Sequence, residues 1–158
     1  MSDLITDFES RWAYVHSMAR VFAETVPEEQ WLFSPHPRFA PFAKQLRHVV
    51  CVRGAYRSGI TDGKPDFSRK HDHYSGPLDR SALLAALDQQ HAALGEALRA
   101  AATENPAKTV DFAGRPFSLL EYTYVIMQHE GVHFGEWSLY ASLAGFETPL
   151  DWRLQWGL

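Results

Sequence analysis

The chain lacks most of the features that would direct it to a membrane, a nucleic acid or a disulfide framework. Its single cysteine, Cys51, excludes an internal disulfide and a cysteine-rich zinc site. A reducing, cytoplasmic setting is the simplest reading of such cysteine usage. No stretch of 18 apolar residues exists, so no segment reads as membrane-spanning. The start, Met1-Ser2-Asp3-Leu4, has no basic region followed by an apolar one, so no secretory signal is expected. Runs of Lys or Arg are missing too. Lys and Arg total 15 against 19 for Asp and Glu, a net charge of −4, and the basic patch of a nucleic-acid binder is not expected. Strand-rich stretches are absent, which argues against the β classes.

What is present is ordinary globular material with two excesses. The 158 residues are one domain's worth, and we read 1–158 as a single domain. A chain of this size buries about two-thirds of its surface on folding, so no metal is needed merely to hold it together. Hydrophobic residues are 46% and charged residues 22%, which excludes a disordered chain. The excesses are eight histidines and 13% aromatics, five of them tryptophan, and both need a use.

Apolar periodicity predicts four helices. Leu4, Phe8, Trp12, Val15, Met18 or Ala19, and Phe22 step by three and four from about Leu4 to Val26, with Ser2 or Asp3 as cap and Pro27 as stop. Residues 27–38 hold three prolines and read as a loop with one helical turn. A second helix starts near Phe39 or Pro41 and ends before Gly63, on the stripe Phe42, Leu46, Val49, Arg53, Tyr56, Ile60. Residues 61–80 are a polar connection. The third helix, from about Ser81 to Ala102, carries Leu84, Leu87, His91, Leu94, Leu98 and Ala101 as a bundle seam. Residues 103–117 suggest a small hairpin around Ala113-Gly114. Ser118-Leu119-Leu120-Glu121 is a capping box that opens a fourth helix running to about Ala144, before Gly145. The expectation is an all-α four-helix bundle with long crossover connections.

The histidines supply the chemistry. His129 and His133 are four apart, so both rings leave one face of the fourth helix a turn apart. They lie on the stripe Tyr122, Ile126, His129, His133, Tyr140, which should face the core. Two core-facing imidazoles are costly to desolvate unless paired, and ligation of one metal would satisfy both. His48, set among Val49, Val50, Cys51 and Val52, is a third histidine in an apolar helix and would complete three nitrogen ligands. Three protein ligands leave a position open for water or substrate. Zinc, nickel or iron would accept this set. The stretch His129-Glu130-Gly131-Val132-His133 also matches H-E-x-x-H, but Glu136 stands where the extended zinc-protease motif has Gly, and no strand-rich half precedes the helix.

These features together resemble the DinB/YfiT-like superfamily of bacterial metal-binding four-helix bundles. The resemblance covers essentially the whole chain. It rests on His48 within Gln45-Leu46-Arg47-His48-Val49-Val50, the extended stretch before the fourth helix, and HEGVHFGEW within that helix. Members commonly show H-x-x-x-H-R-G-Q there. His129, His133 and Gly135 match it, whereas Phe134 replaces the Arg and Glu136 the Gln, and Val132 stands where many members have a further His. The resemblance implies one divalent metal on His48, His129 and His133, often in a homodimer. It further implies a small-molecule reaction: transfer or isomerisation dependent on a low-molecular-weight thiol such as bacillithiol or mycothiol, or hydrolysis. A non-catalytic metal or small-ligand binder, stress-related in role, is the alternative.

Two further residues are candidates for catalysis. His91 could approach the metal site or a substrate from the third helix. Glu136, seven after His129 on nearly the same face, could orient His133 or exchange a proton. Glu130 is about 100° from His129 around the helix and should point away from the metal. Cys51 either lines the site or is a small buried residue. His36, His71 and His73 fall in loops. Trp31, Trp137, Trp152 and Trp156 could wall a pocket or simply supply buried area. Trp152 and Trp156 are four apart in the tail and must cover the bundle or a second subunit.

Overall fold

The structure, a computed structural model, describes residues 2–157, with side chains from Ile5 onward. Four long helices dominate it: α1 (Ser2–Thr25), α2 (Phe42–Asp62), α3 (Arg80–Glu104) and α4 (Leu119–Ala144), followed by a short α5 (Leu150–Trp156). The cap expected on Ser2 or Asp3 lies outside the described side chains. Other punctuation is where the residues call for it. Gly63 and Gly145 take the left-handed conformation that closes α2 and α4. The Ser118 side chain accepts from the Glu121 amide while the Glu121 carboxylate accepts from the Ser118 amide, satisfying two donors at the start of α4. Before it, β1 (Thr109–Phe112) and β2 (Arg115–Ser118) pair antiparallel, Thr109 opposite Ser118, around a turn with positive φ at Ala113 and Gly114.

Helix neighbours explain the long connections. α3 packs on α1 and α2, and α4 packs on α1 and α2. Around the bundle the order is therefore α1, α3, α2, α4, so that α1 and α2 are diagonal, as are α3 and α4. A chain that must cross a bundle end needs the lengths of segments 26–41 and 105–118. The order also makes α2 and α4 neighbours, and these helices carry His48, His129 and His133.

Two apolar clusters fill the interior. Phe22, Phe42, Trp137 and Trp152 centre one; Trp12, Ile60, Leu94, Tyr122 and Ile126 centre the other. Trp152 of α5 is fully buried, 4.8 Å from Phe22 and 5.2 Å from Phe134 by ring centroids, so the tail closes over its own α1 and α4. Trp31 is also buried and donates through Nε1 to the Leu78 carbonyl at 2.6 Å.

The connection from α2 to α3 is more ordered than its polarity implied. Residues Phe67–His73 form a 3-10 turn, started by the Asp66 carboxylate accepting from the Ser68 amide, and this turn packs on α2. Close approach requires Gly54: a Cβ there would collide with the His73 ring. We therefore expect Gly54→Ala to destabilise the protein by about 1–3 kcal/mol through overpacking. Gly95, inside α3 with open space around its Cα, should respond in the opposite sense, Gly95→Ala gaining about 0.5–1 kcal/mol from helix propensity. Thermal melts of the two variants check this; equal shifts would contradict the packing argument.

Candidate metal centre

α2 and α4 bring His48, His129 and His133 together. One ring nitrogen from each lies within 4.8 Å of the others. Ring centroids are 5.6 Å apart for His48 and His129, 5.0 Å for His48 and His133, and 4.5 Å for His129 and His133. All three are half-buried.

The donor chemistry fits a divalent metal. The Nε2 atoms of His129 and His133 face each other at 3.1 Å. Two ligand atoms about 2.0–2.1 Å from one ion stand about 3.3 Å apart in tetrahedral and about 2.9 Å apart in octahedral geometry, so the observed gap suits either. Burial, reinforced by the neighbouring His133, pushes His48 and His129 down to about 4. Both rings are therefore neutral near pH 7, the state in which a lone pair is free to coordinate. Glu136 Oε2 lies 2.7 Å from His133 Nδ1, where it accepts the ring proton and leaves the Nε2 lone pair turned toward His129. His129 Nδ1 is buried without a partner. Tyr56 stands edge-on to His129, its ring centroid 5.5 Å away, and burial raises its phenol so that it stays an O–H donor.

The other candidates take different places. Glu136 sits against a triad ring, which makes it a positioning group for His133. His91 is brought elsewhere. α3 is diagonal to α4, so His91 stacks on His16 at 4.1 Å and on Trp12 at 5.6 Å instead of joining the triad. Cys51 is fully buried; its thiol donates to the Tyr74 carbonyl at 3.6 Å and lies 3.8 Å from His71 Nδ1. Burial raises that thiol. His71 and His73, expected in an open loop, are on the 3-10 turn, whereas His36 remains on an exposed loop.

A buried ion pair behind the triad is the main feature that spacing did not disclose. Arg53 and Glu130 are both fully buried and joined by two bonds of 2.9 Å. Arg53 also donates to His16 Nδ1 at 3.2 Å and lies 4.6 Å over the Trp12 ring. His16 passes its other ring nitrogen to Asp88 at 3.1 Å and is pushed down to about 4, chiefly by burial and then by Arg53. Glu130 thus points away from the triad, as its helical angle requires, and into the core. The sequence signal was an arginine, Arg53, on an otherwise apolar stripe, together with His16 four residues after Trp12.

A DinB superfamily model matches residues 11–137. The chain belongs to the DinB superfamily. Two solved structures share the DinB fold. A DinB-like protein from Bacillus cereus superposes with a TM-score of 0.71 at 18% identity, covering 90% of this chain and 93% of its own. The DinB-like protein YjoA from Bacillus subtilis gives 0.68 at 16% identity, covering 91% and 96%. No curated protein matches the chain. Among the described residues no helix is long and apolar enough to cross a membrane.

Two outcomes follow from these surroundings. Removing one member of a buried pair strands a charge, so Arg53→Met should cost about 3–5 kcal/mol, whereas Arg53→Met with Glu130→Leu should recover most of it. Denaturant melts of both variants check this, and equal losses would contradict it. The second concerns pH. His16, His48 and His129 fall from the ordinary 6.5 to about 4 on folding, so between these values the unfolded chain binds more protons. Stability of the metal-free protein should be full above pH 6.5 and decline as pH drops toward 4. A melting temperature flat across that window would contradict the neutral state of these rings.

Proposed function

We propose that the protein is a metal-dependent enzyme that activates a low-molecular-weight thiol. One divalent ion would be held by His48, His129 and His133. The observation that carries this reading is the convergence of three imidazoles from two helices, two of them held neutral by burial and the third oriented by a carboxylate. A three-nitrogen set leaves at least one coordination position for an exogenous ligand. When bound there, a divalent metal supplies Lewis-acid character that lowers the pKa of a coordinated thiol or water.

The chain's own groups then have limited tasks. Glu136 holds the His133 proton on Nδ1 and so keeps its Nε2 available. The Tyr56 ring packs edge-on against His129 and helps fix its plane. The carboxylate at the triad, Glu136, is engaged with His133, and Glu130 is locked to Arg53. This scarcity of free general bases favours a thiol over a water as the activated group, since a thiol needs less help to lose its proton. The electrophile is a small molecule.

Metal analysis of tag-free protein should give one ion per chain. His48→Ala and His129→Ala should abolish binding, while Glu136→Gln should weaken it about 10- to 100-fold, as loss of an orienting partner does. Thiol-dependent turnover of model electrophiles that is lost on chelation supports the enzyme; tight ligand binding without turnover would replace it with a binding protein.

Assembly belongs to the same proposal. Leu120, Tyr124, Val132, Leu139 and Leu143 leave an exposed apolar strip along α4. A homodimer through bundle helices would cover such a surface. Sedimentation should show two chains per particle at micromolar concentration, and a monomer would remove this part of the account.

A further inference from the structure

The proposal concerns the charge beside the triad and deepens the thiol reading, on which it rests. Lys70, on the 3-10 turn, is half-buried, and its Nζ lies 3.5 Å from His48 Nδ1. In the neutral ring Nδ1 accepts from the ammonium, but metal ligation removes that acceptor. If His48 ligates through Nε2, its Nδ1 carries a proton, and two donors face each other with no acceptor between. If it ligates through Nδ1, a fixed positive charge stands against the atom that holds a divalent cation. Both arrangements are repulsive until an anion is added.

Among the described residues no carboxylate is joined to Lys70. Asp72, the neighbouring carboxylate on the turn, is engaged by Arg69 at 2.8 Å, and Asp66 by Ser68 at 2.9 Å. Among the described residues neither Lys70 nor Arg47 nor Lys44 forms an ion pair. Lys44, Arg47, His48 and Cys51 share one face of α2 by their spacing of three and four. Arg47 is half-buried and close enough to act on Cys51 and Tyr74. One unpaired cation, Lys70, thus stands at His48, with Arg47 on the adjoining Cys51–Tyr74 side, in a chain whose net charge is −4. The turn that brings Lys70 there is held close to α2 by Gly54, so the placement is a packed feature of the fold.

We propose that Lys70 forms an anion subsite beside His48, and that the small molecule bound there carries a carboxylate. The carboxylate belongs either to the thiol or to its electrophilic partner; the chemistry recognised is the same. Lys70 holds that group by charge and hydrogen bonding and sets the ligand's orientation relative to His48.

Binding to cobalt-loaded protein tests this without reference to turnover. The probes are 3-mercaptopropionate, 2-mercaptoethanol and cysteamine, whose second groups are anionic, neutral and cationic, and the signal is the near-ultraviolet thiolate-to-cobalt band. Comparing native protein with Lys70→Met cancels the probes' differing thiol basicities. Lys70→Met should lose about tenfold in affinity for 3-mercaptopropionate, leave 2-mercaptoethanol unchanged and gain affinity for cysteamine. Lys70→Arg should retain the native order. If 3-mercaptopropionate is unaffected but propionate perturbs the cobalt spectrum of the 2-mercaptoethanol-loaded native protein and not of Lys70→Met, the carboxylate resides on the second substrate and the subsite stands. A Lys70→Met variant that matches native protein with the three thiols and with propionate overturns the subsite and leaves the metal reading intact. Failure to take up cobalt at all overturns both.

Discussion

The junction of α2 with α4 governs what this protein can do, and a buried ion pair holds it. Arg53 on α2 and Glu130 on α4 meet through two bonds, both side chains fully buried. Such a pair need not add stability, since taking two charges out of water is about as costly as their attraction is favourable. Its value here is geometric. A bidentate guanidinium–carboxylate contact admits one register and one orientation. Glu130 is adjacent to His129, and Arg53 lies little more than one helical turn beyond His48. Fixing the pair therefore fixes how the His48 ring approaches the two rings on α4. His16 and Trp12 extend the same anchor to α1.

Electrostatics then divides the molecule into two contrasting regions. In the anchor every charge is spent: Glu130 on Arg53, and Asp88 on His16 and Arg20. At the triad His48 and His129 are neutral, a carboxylate orients His133, and the Lys70 ammonium beside His48 is joined to no carboxylate. The Lys70 side of such a site is where an exogenous anion would find a partner. A cation on the three lone pairs and an anion between it and Lys70 would reinforce each other.

The bundle was legible because local chemistry and tertiary need agree in it. Apolar steps of three and four, Pro41 before α2, the Ser118–Glu121 box and the glycines at 63 and 145 all act within one element, and each is where its residues place it. His129 and His133 were readable for the same reason, being one turn apart on one helix. What sequence could not rank was contact between elements. His91 shares the apolar seam of α3 and was a plausible neighbour of the metal, yet the helix order sends it to His16 and Trp12. Arg53 stood on a core stripe without its partner being apparent, since Glu130 is paired to it across the bundle and not along a helix. Lys70 looked like one charge in a polar connection; its position depends on the 3-10 turn and on the space left by Gly54.

The central claim is that the three histidines hold one divalent ion with a position left for a thiol. X-ray absorption of the zinc-loaded protein addresses it directly. The account predicts three imidazole nitrogens at about 2.0–2.1 Å with a light fourth ligand, and replacement of that ligand by one sulfur at about 2.3 Å when thiol is added. A first shell with fewer than three imidazoles, or one that gains no sulfur at saturating thiol, would contradict it.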